Sequence, residues 1–340
     1  MLYKSKIIAL GVVTTLFLSG CATITHSLNK VKAKPVEKNL LSGRPGINGP
    51  VLIVKIDDTN AARPQIGLED ADIVYIEQVE GGLTRLAAVF SSRIPQRIGP
   101  IRSARISDID IIAQFGHIAF AYSGAQRKLL PVIGAANLQN LGAQAQSPSI
   151  YTNDSARHSP YSMVLRADLL MAKTIEKAYV IDRAHSVGWS FSEIKPQGVQ
   201  ISRAQVHWPA ANYGVIWSAG ENRWHLTHNN EANLSDTGRT LGPTTFVIQL
   251  VSITPSIYGD KFGGITPFSQ TVGQGTGYIL RDGMSVSATW SRASARDGTT
   301  WKALDGSEIA FAPGQVWVAL CDTEPDFTLV PASASPSPTK

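Results

Sequence analysis

Val51-Leu-Ile-Val-Lys-Ile56, Asp72-Ile-Val-Tyr-Ile76 and Leu83-Thr-Arg-Leu-Ala-Ala-Val-Phe90 are three short apolar runs, close together and separated by polar and glycine-containing segments. Each has the length of a strand, and their near-continuous hydrophobicity predicts strands that are mostly buried. Downstream, Ser107-Asp108-Ile109-Asp110-Ile111-Ile112 reads as a helix start, with Ser107 as N-cap and Asp110 in the first turn. Ile118 to Tyr122 is another strand. Met163 to Lys177 is rich in helix formers, with Leu165, Leu169, Leu170 and Ile175 near one face. From about Gln200 the texture changes to strands and turns. Asp282-Gly283 and Asp305-Gly306 are hairpin signals, because Asp-Gly suits the positive φ angles of a type I′ turn. Five of the seven tryptophans fall between Trp208 and Trp301. The fold class expected is α+β: a mixed α/β N-terminal domain over 49–195, then a mainly antiparallel β-rich C-terminal domain over 196–330. The boundary is expected near Phe191 to Gln200, with the two halves folding separately.

The segments outside these domains fix an expected location. Lys4 and Lys6 precede Ile7 to Leu18, an uncharged run with the length of a signal h-region and too short to span a bilayer. It ends in Leu18-Ser19-Gly20-Cys21, where small residues before a cysteine look like a bacterial lipobox. Residues 1–20 are therefore read as a lipoprotein signal peptide, with the Cys21 thiol diacylated. Two acyl chains give stable anchoring where one would be marginal. The expected location is the extracytoplasmic face of the cell membrane. Residues 21–48, with Lys30, Lys32, Lys34, Lys38, Pro35 and Pro45, read as a tether reaching on the order of 30 Å. Pro331 to Lys340 reads as a disordered tail.

A formal charge of +5, two of it on Lys4 and Lys6, is too mild to argue for nucleic acid, and export makes such a partner less apt still. Cys321, besides Cys21, is the sole cysteine, so no intramolecular disulfide is expected once Cys21 is acylated. It follows an apolar strand-like run and reads as a buried, inert thiol. Gly273-Gln-Gly275-Thr-Gly277 lacks a following helix N-terminus and reads as a strand entry rather than a phosphate loop. His225-x-x-His228 has no further ligands at a recognisable spacing, so no metal and no cofactor are expected.

The densest polar stretch runs from Arg63 to Asp110. Glu77 and Glu80 close an apolar strand, and Arg85 sits on one face of the next. A buried charge must be paired, so a Glu–Arg pair between adjacent strands is one reading and a ligand site the other. Arg102 and Arg105, beside a helix start, suit bidentate grip of a phosphate or carboxylate, or pairing with Asp108 and Asp110.

Arg63-Pro64-Gln65-x-Gly67-Leu68, Ala71-Asp72-Ile73-Val74-Tyr75, Glu80-Gly81-Gly82-Leu83-Thr84-Arg85 and Gly99-Pro100-Ile101-Arg102-Ser103-Ala104-Arg105 resemble the YerB-like lipoproteins, which define domain of unknown function 3048 with its N- and C-terminal parts. His158-Ser159-Pro160-Tyr161 looks like the family's His-Asn-Leu-Tyr, with two residues changed. Val247-Ile248-Gln249, Trp290 and Pro313-Gly314-Gln315-x-Trp317 match the second part. Where the family often carries His-x-Asp, this chain has Ala232-Asn233-Leu234. The resemblance implies fold and location but carries no activity. Three functions follow: a non-catalytic lipoprotein binding a wall polymer or envelope protein, an envelope hydrolase using Glu77 and Glu80, or a solute-binding lipoprotein. The first is favoured, since no nucleophile or metal motif appears. Candidate binding residues are Arg63, Glu77, Glu80, Arg85, Arg102, Arg105, Asp108, Asp110, His158 and Tyr161.

Overall fold

The three runs quoted first form adjacent strands: β1 (Leu52–Asp57), β2 (Ile73–Gln78) and β3 (Thr84–Phe90), with β3 antiparallel between the other two. A computed structural model describes residues 36–260 and 263–330. The signal peptide, Cys21, the tether up to Pro35 and the tail from Pro331 lie outside the described residues.

Alternation along these strands feeds two separate cores. Val54, Ile56, Val74, Ile76, Leu86 and Ala88 face one. Ile53, Ile73, Tyr75, Ala87 and Val89 face the other. Burial on both faces is why the runs read as continuously apolar.

The sheet extends well beyond these strands. Val316–Cys321 pairs in parallel with β2 on one side and with Thr245–Leu250 on the other. Gly273–Arg281 and Met284–Arg292 continue it as a hairpin, and Val199–Trp208, Ala211–Ser218 and Arg223–His228 form a meander beyond. The meander folds back so that Ile201, Val206, Tyr213, Val215 and Leu226 pack into the first core beside β1–β3. On the far side, Ile118–Ala121 and Leu138–Asn140 add parallel strands beside β1. Fifteen described strands belong to this sheet.

The second half is β-rich, as expected. The first half is only partly the expected α/β mixture: its helices are short, α1 (Ile106–Ala113), α2 (Leu130–Ala135) and α3 (Ala167–Glu176), against a dominant sheet. Met163 to Lys177 does not run as one helix. Met163–Arg166 is a strand paired to Tyr151–Asn153, so the apolar stripe breaks and Ile175 is left exposed. Nor does Ser107 cap α1. The cap is Arg105, whose backbone N–H donates to Asp108 Oδ2 at 2.7 Å, while the buried Ser107 hydroxyl accepts from Ser269 N–H at 3.0 Å.

Asp282 (φ 54°) and Gly283 (φ 75°) close a two-residue hairpin between Arg281 and Met284, with the positive φ pair the sequence predicts. Gly275 lies within the strand Gly273–Arg281, where an added Cβ would meet the Trp290 indole at 2.7 Å. Close ring packing, not a phosphate, accounts for that glycine.

One expected boundary falls within a continuous sheet, and the expected end of the tether moves. The texture break at Phe191–Gln200 is not a break in the sheet, because Val316–Cys321 is hydrogen-bonded between a first-half and a second-half strand, and the described residues fall in one compact unit. Val36 to Asn48 is not tether either. Asn39, Leu41 and Ser42 are buried, and the Ser42 hydroxyl donates to Asp72 Oδ1 at 2.8 Å. A lone leucine and short polar side chains dock this loop, which leaves no periodicity for sequence reading to detect.

Candidate binding cleft

On the second-core face of β1–β3, the apolar pattern gives way at one end to Lys55, Asp57, Glu77 and Arg85. The register sets Arg85 opposite Asp57 on one side and Glu77 on the other. Above this end lies a cleft of about 610 Å³, in the range of small-ligand sites. Its walls come from the turn Glu80–Gly82, the segment Arg102–Ile106, Ala125 to Leu129, and the hairpin strands Ile253–Gly259 and Ile265–Ser269. Positive φ at Gly81 (69°) and Gly82 (72°) lets the chain turn tightly enough to point Glu80 into it.

Glu80, Arg85, Arg102 and Arg105 all line this cleft. Arg105 Nε and Nη2 donate to Glu80 Oε2 at 2.9 and 2.7 Å, and the Thr266 hydroxyl donates to Glu80 Oε1. Burial pushes the Glu80 carboxyl up, but Arg105 and Thr266 outweigh it and hold the group below its usual range. Arg102 pairs with Asp57 and sits over the Tyr161 ring, 5.6 Å from its centroid.

Arg85 differs from its neighbours. It is 9% exposed, and its Nη1 donates to Ser103 O at 2.8 Å. Among the described residues it has no carboxylate within ion-pair distance. Asp57 is engaged by Arg102 and Glu77 by Lys55. Burial, then repulsion from Arg105 and Arg102, pushes the Arg85 guanidinium down to about 10. Arg85 is thus a buried cation lining the cleft between Arg102 and Arg105, each of which is paired with a carboxylate.

The strand-to-strand Glu–Arg pair expected for Glu77 does not form. Glu77, Lys55 and Asp108 make a fully buried triad in which Lys55 Nζ reaches both carboxylates, Asp108 at 2.8 Å. Burial and the nearby Asp108 carboxylate push Glu77 up to about 7, with Lys55 opposing. Asp108 also caps Arg105, so the triad fixes the segment that carries the cleft arginines. Glu77 and Asp108 face the interior, and Glu77 and Glu80 share no cleft for paired-carboxylate chemistry.

Other candidates lie elsewhere. Asp110 is half-buried, outside the cleft lining, and its carbonyl accepts from Arg292 Nη2 at 2.6 Å. His158 is exposed. Arg63 bridges the two halves: Nη2 meets Asp58 Oδ1 at 2.5 Å, and Nη1 donates to Asn233. Asp58 also accepts from the Tyr213 hydroxyl at 2.7 Å and the Thr84 hydroxyl at 2.5 Å, with His228 Nε2 at 3.7 Å. No group of three or more His, Cys, Asp or Glu side chains could hold a metal among the described residues.

Sequence reasoning missed Lys55, Asp57, Asp58 and Thr266. The signal for the first two was present, since Val54-Lys55-Ile56-Asp57 alternates and places both charges on one face. Thr266 carried no signal, being brought to Glu80 by tertiary packing alone.

Comparison with known proteins agrees with this chain order. Residues 41–180 match the N-terminal domain, and residues 204–318 the C-terminal domain, of a protein family of unknown function, DUF3048. The chain belongs to the DUF3048 family. A curated relative, "Putative lipoprotein YerB" of Bacillus subtilis (strain 168), is 24% identical over 275 residues, covering 79% of this chain and 80% of that protein. The crystal structure of YerB from Bacillus subtilis superposes with a TM-score of 0.71 at 19% identity, covering 85% of this chain and 99% of that one. At that identity the likeness speaks for the DUF3048 fold alone.

Proposed function

We propose that this DUF3048 protein is a bacterial cell-envelope lipoprotein, held on the extracytoplasmic face by diacylated Cys21, and that its arginine cleft binds an anionic group of a wall polymer or partner protein. One observation carries the binding half of this reading: the buried guanidinium of Arg85, with no carboxylate within ion-pair distance among the described residues, lines a cleft of about 610 Å³. Arg102 and Arg105 line the same cleft, held in place by Asp57 and Glu80. The preformed geometry costs little ordering on binding. The anchor half is supported by the lipobox-like Leu18-Ser19-Gly20-Cys21 and by a relative whose name calls it a lipoprotein.

Both halves are open to separate tests. Cys21→Ala should abolish acyl labelling and membrane fractionation, and retention of either would contradict the anchor. For the cleft, the chain carrying Cys21→Ser is sedimented with purified cell-wall sacculi bearing their anionic polymers. Binding that 1 M salt releases is expected from charge contacts, on the grounds that such a salt concentration shrinks screening to about 3 Å. Absence of binding to sacculi, together with no capture of any envelope protein, would contradict it.

A further inference from the structure

Lys55, Glu77 and Asp108 are each 0% exposed, and the cleft makes no use of them. Lys55 follows Ile53, and Glu77 follows Tyr75, on the strand faces that build the second core, so an amine and two carboxylates meet at the edge of an apolar interior. Lys55 Nζ donates to Asp108 Oδ1 at 2.8 Å and also to Glu77 Oε1. Among the described residues, no other cation reaches either carboxylate within ion-pair distance. Burying an ion is costly, and one ammonium cannot fully offset two carboxylates.

Two further features suit these groups to react as well as to pair. Arg105 N–H donates to Asp108 Oδ2 at 2.7 Å. That fixed backbone donor polarises the carboxyl oxygen on which negative charge gathers when a nucleophile adds to Asp108 Cγ. Glu77 Oε2 is buried with no hydrogen-bond partner among the described residues. Burial and the Asp108 charge push the Glu77 carboxyl up to about 7, with Lys55 opposing, and a carboxyl in that range takes up and returns protons at neutral pH. With Lys55 Nζ held against Oδ1, Asp108 Cγ is one bond further on, an arrangement in which proximity counts toward rate.

We propose that the triad is a self-modification site, in which Lys55 Nζ and Asp108 Cγ join as an intramolecular isopeptide bond with Glu77 as the proton carrier. Glu77 takes a proton from the Lys55 ammonium, and the freed amine adds to Asp108 Cγ, which places charge on Oδ2 beneath the Arg105 N–H. Two protons in all leave Nζ by way of Glu77 and depart on Oδ1 as water when the Cγ–Oδ1 bond breaks. One C–N bond forms, one C–O bond breaks, and nothing is oxidised or reduced. An ammonium and a carboxylate become one neutral amide, and the loss of two buried charges favours the product in this interior. The bond ties β1 to the start of α1, independently of any ligand in the cleft.

The test reads mass on the full chain carrying Cys21→Ser, unfolded in denaturant so that only covalent links remain. Its intact mass should lie one water below that of the linear chain with the same termini. Trypsin does not cut after an acylated lysine, so Lys55 should stay inside a branched peptide joined to the segment that contains Asp108. Lys55→Arg should restore the linear mass. Glu77→Gln keeps the shape but carries no proton, and should lower the cross-linked fraction at least about tenfold, scored on protein whose circular dichroism matches the parent. Four results would overturn the proposal. The first is a linear mass with cleavage after Lys55, which needs no variant and so no variant's folding. The second is a water loss that persists in Lys55→Arg, which assigns it to a cyclised Asp-Gly pair such as Asp282-Gly283. The third is a branch that maps to Glu77 in place of Asp108, and the fourth a cross-link undiminished in Glu77→Gln.

Discussion

Lys55, Asp57, Glu77 and Arg85 share one face of three neighbouring strands, yet they sort into two kinds of charge. Lys55 and Glu77 are sealed with Asp108 in the interior. Arg85 lines the cleft with no carboxylate in ion-pair distance among the described residues. Lys55→Met strands two buried carboxylates and should cost about 3–5 kcal/mol in urea unfolding. A cost under about 1 kcal/mol, the size expected of an exposed pair, would mean that the triad is open to water. His228 gives a pH window. Burial pulls its imidazole from 6.5 down to about 4, with Asp58 opposing and Arg63 assisting. A depressed folded pKa contributes stability that is complete above 6.5 and is lost as the pH falls through about 4. The melting temperature should therefore fall between these values, and His228→Gln should flatten that fall. At this scale the sequence displayed Glu80, Arg85, Arg102 and Arg105 as one polar stretch. Their partners stayed hidden, because which acid reaches which base depends on strand pairing and on one-residue differences in depth.

Among the elements, turns were more legible than helices. Asp282-Gly283 is a local signal with a local cause, and the hairpin follows from it. Ser107 is engaged by Ser269 instead of capping α1, and the strand pairing of Met163–Arg166 with Tyr151–Asn153 takes up the first part of the stretch rich in helix formers, so local signals misplaced both starts. The turn Glu80–Gly82 matters most for the cleft. Gly81 has open space where a Cβ would go but a φ of 69°. Gly81→Ala should thus cost only about 1–2 kcal/mol, from the left-handed backbone. At Gly82 (φ 72°) the added Cβ would also meet Pro209 Cβ at 2.5 Å. Gly82→Ala should destabilise more than Gly81→Ala in the same urea titration, and the reverse ranking would contradict this geometry.

For the whole molecule, the two sequence halves share one sheet through Val316–Cys321. A fragment ending near Gln200 lacks that strand, exposes the edge of β2 and removes the meander from the first core. It should show no cooperative unfolding by circular dichroism, while the chain from Val36 to Val330 should unfold in a single transition. The sequence hid this interleaving because a strand's neighbours in a sheet are set by topology, not by adjacency along the chain. Its β-rich character and the family motifs were visible throughout. Arg85→Met separates an arginine that serves a ligand from one that serves the fold, by thermal melting paired with titration calorimetry against poly(glycerol phosphate) and soluble peptidoglycan fragments. A buried cation with no ion-pair partner among the described residues, its repulsion from Arg105 and Arg102 opposed by the nearby Asp57 and Glu80, adds little to folding. A ligand role for Arg85 predicts an unchanged or higher melting temperature with binding reduced by at least about tenfold, the loss of roughly one charge-assisted hydrogen bond. A marked fall in melting temperature with binding per folded molecule intact would contradict it.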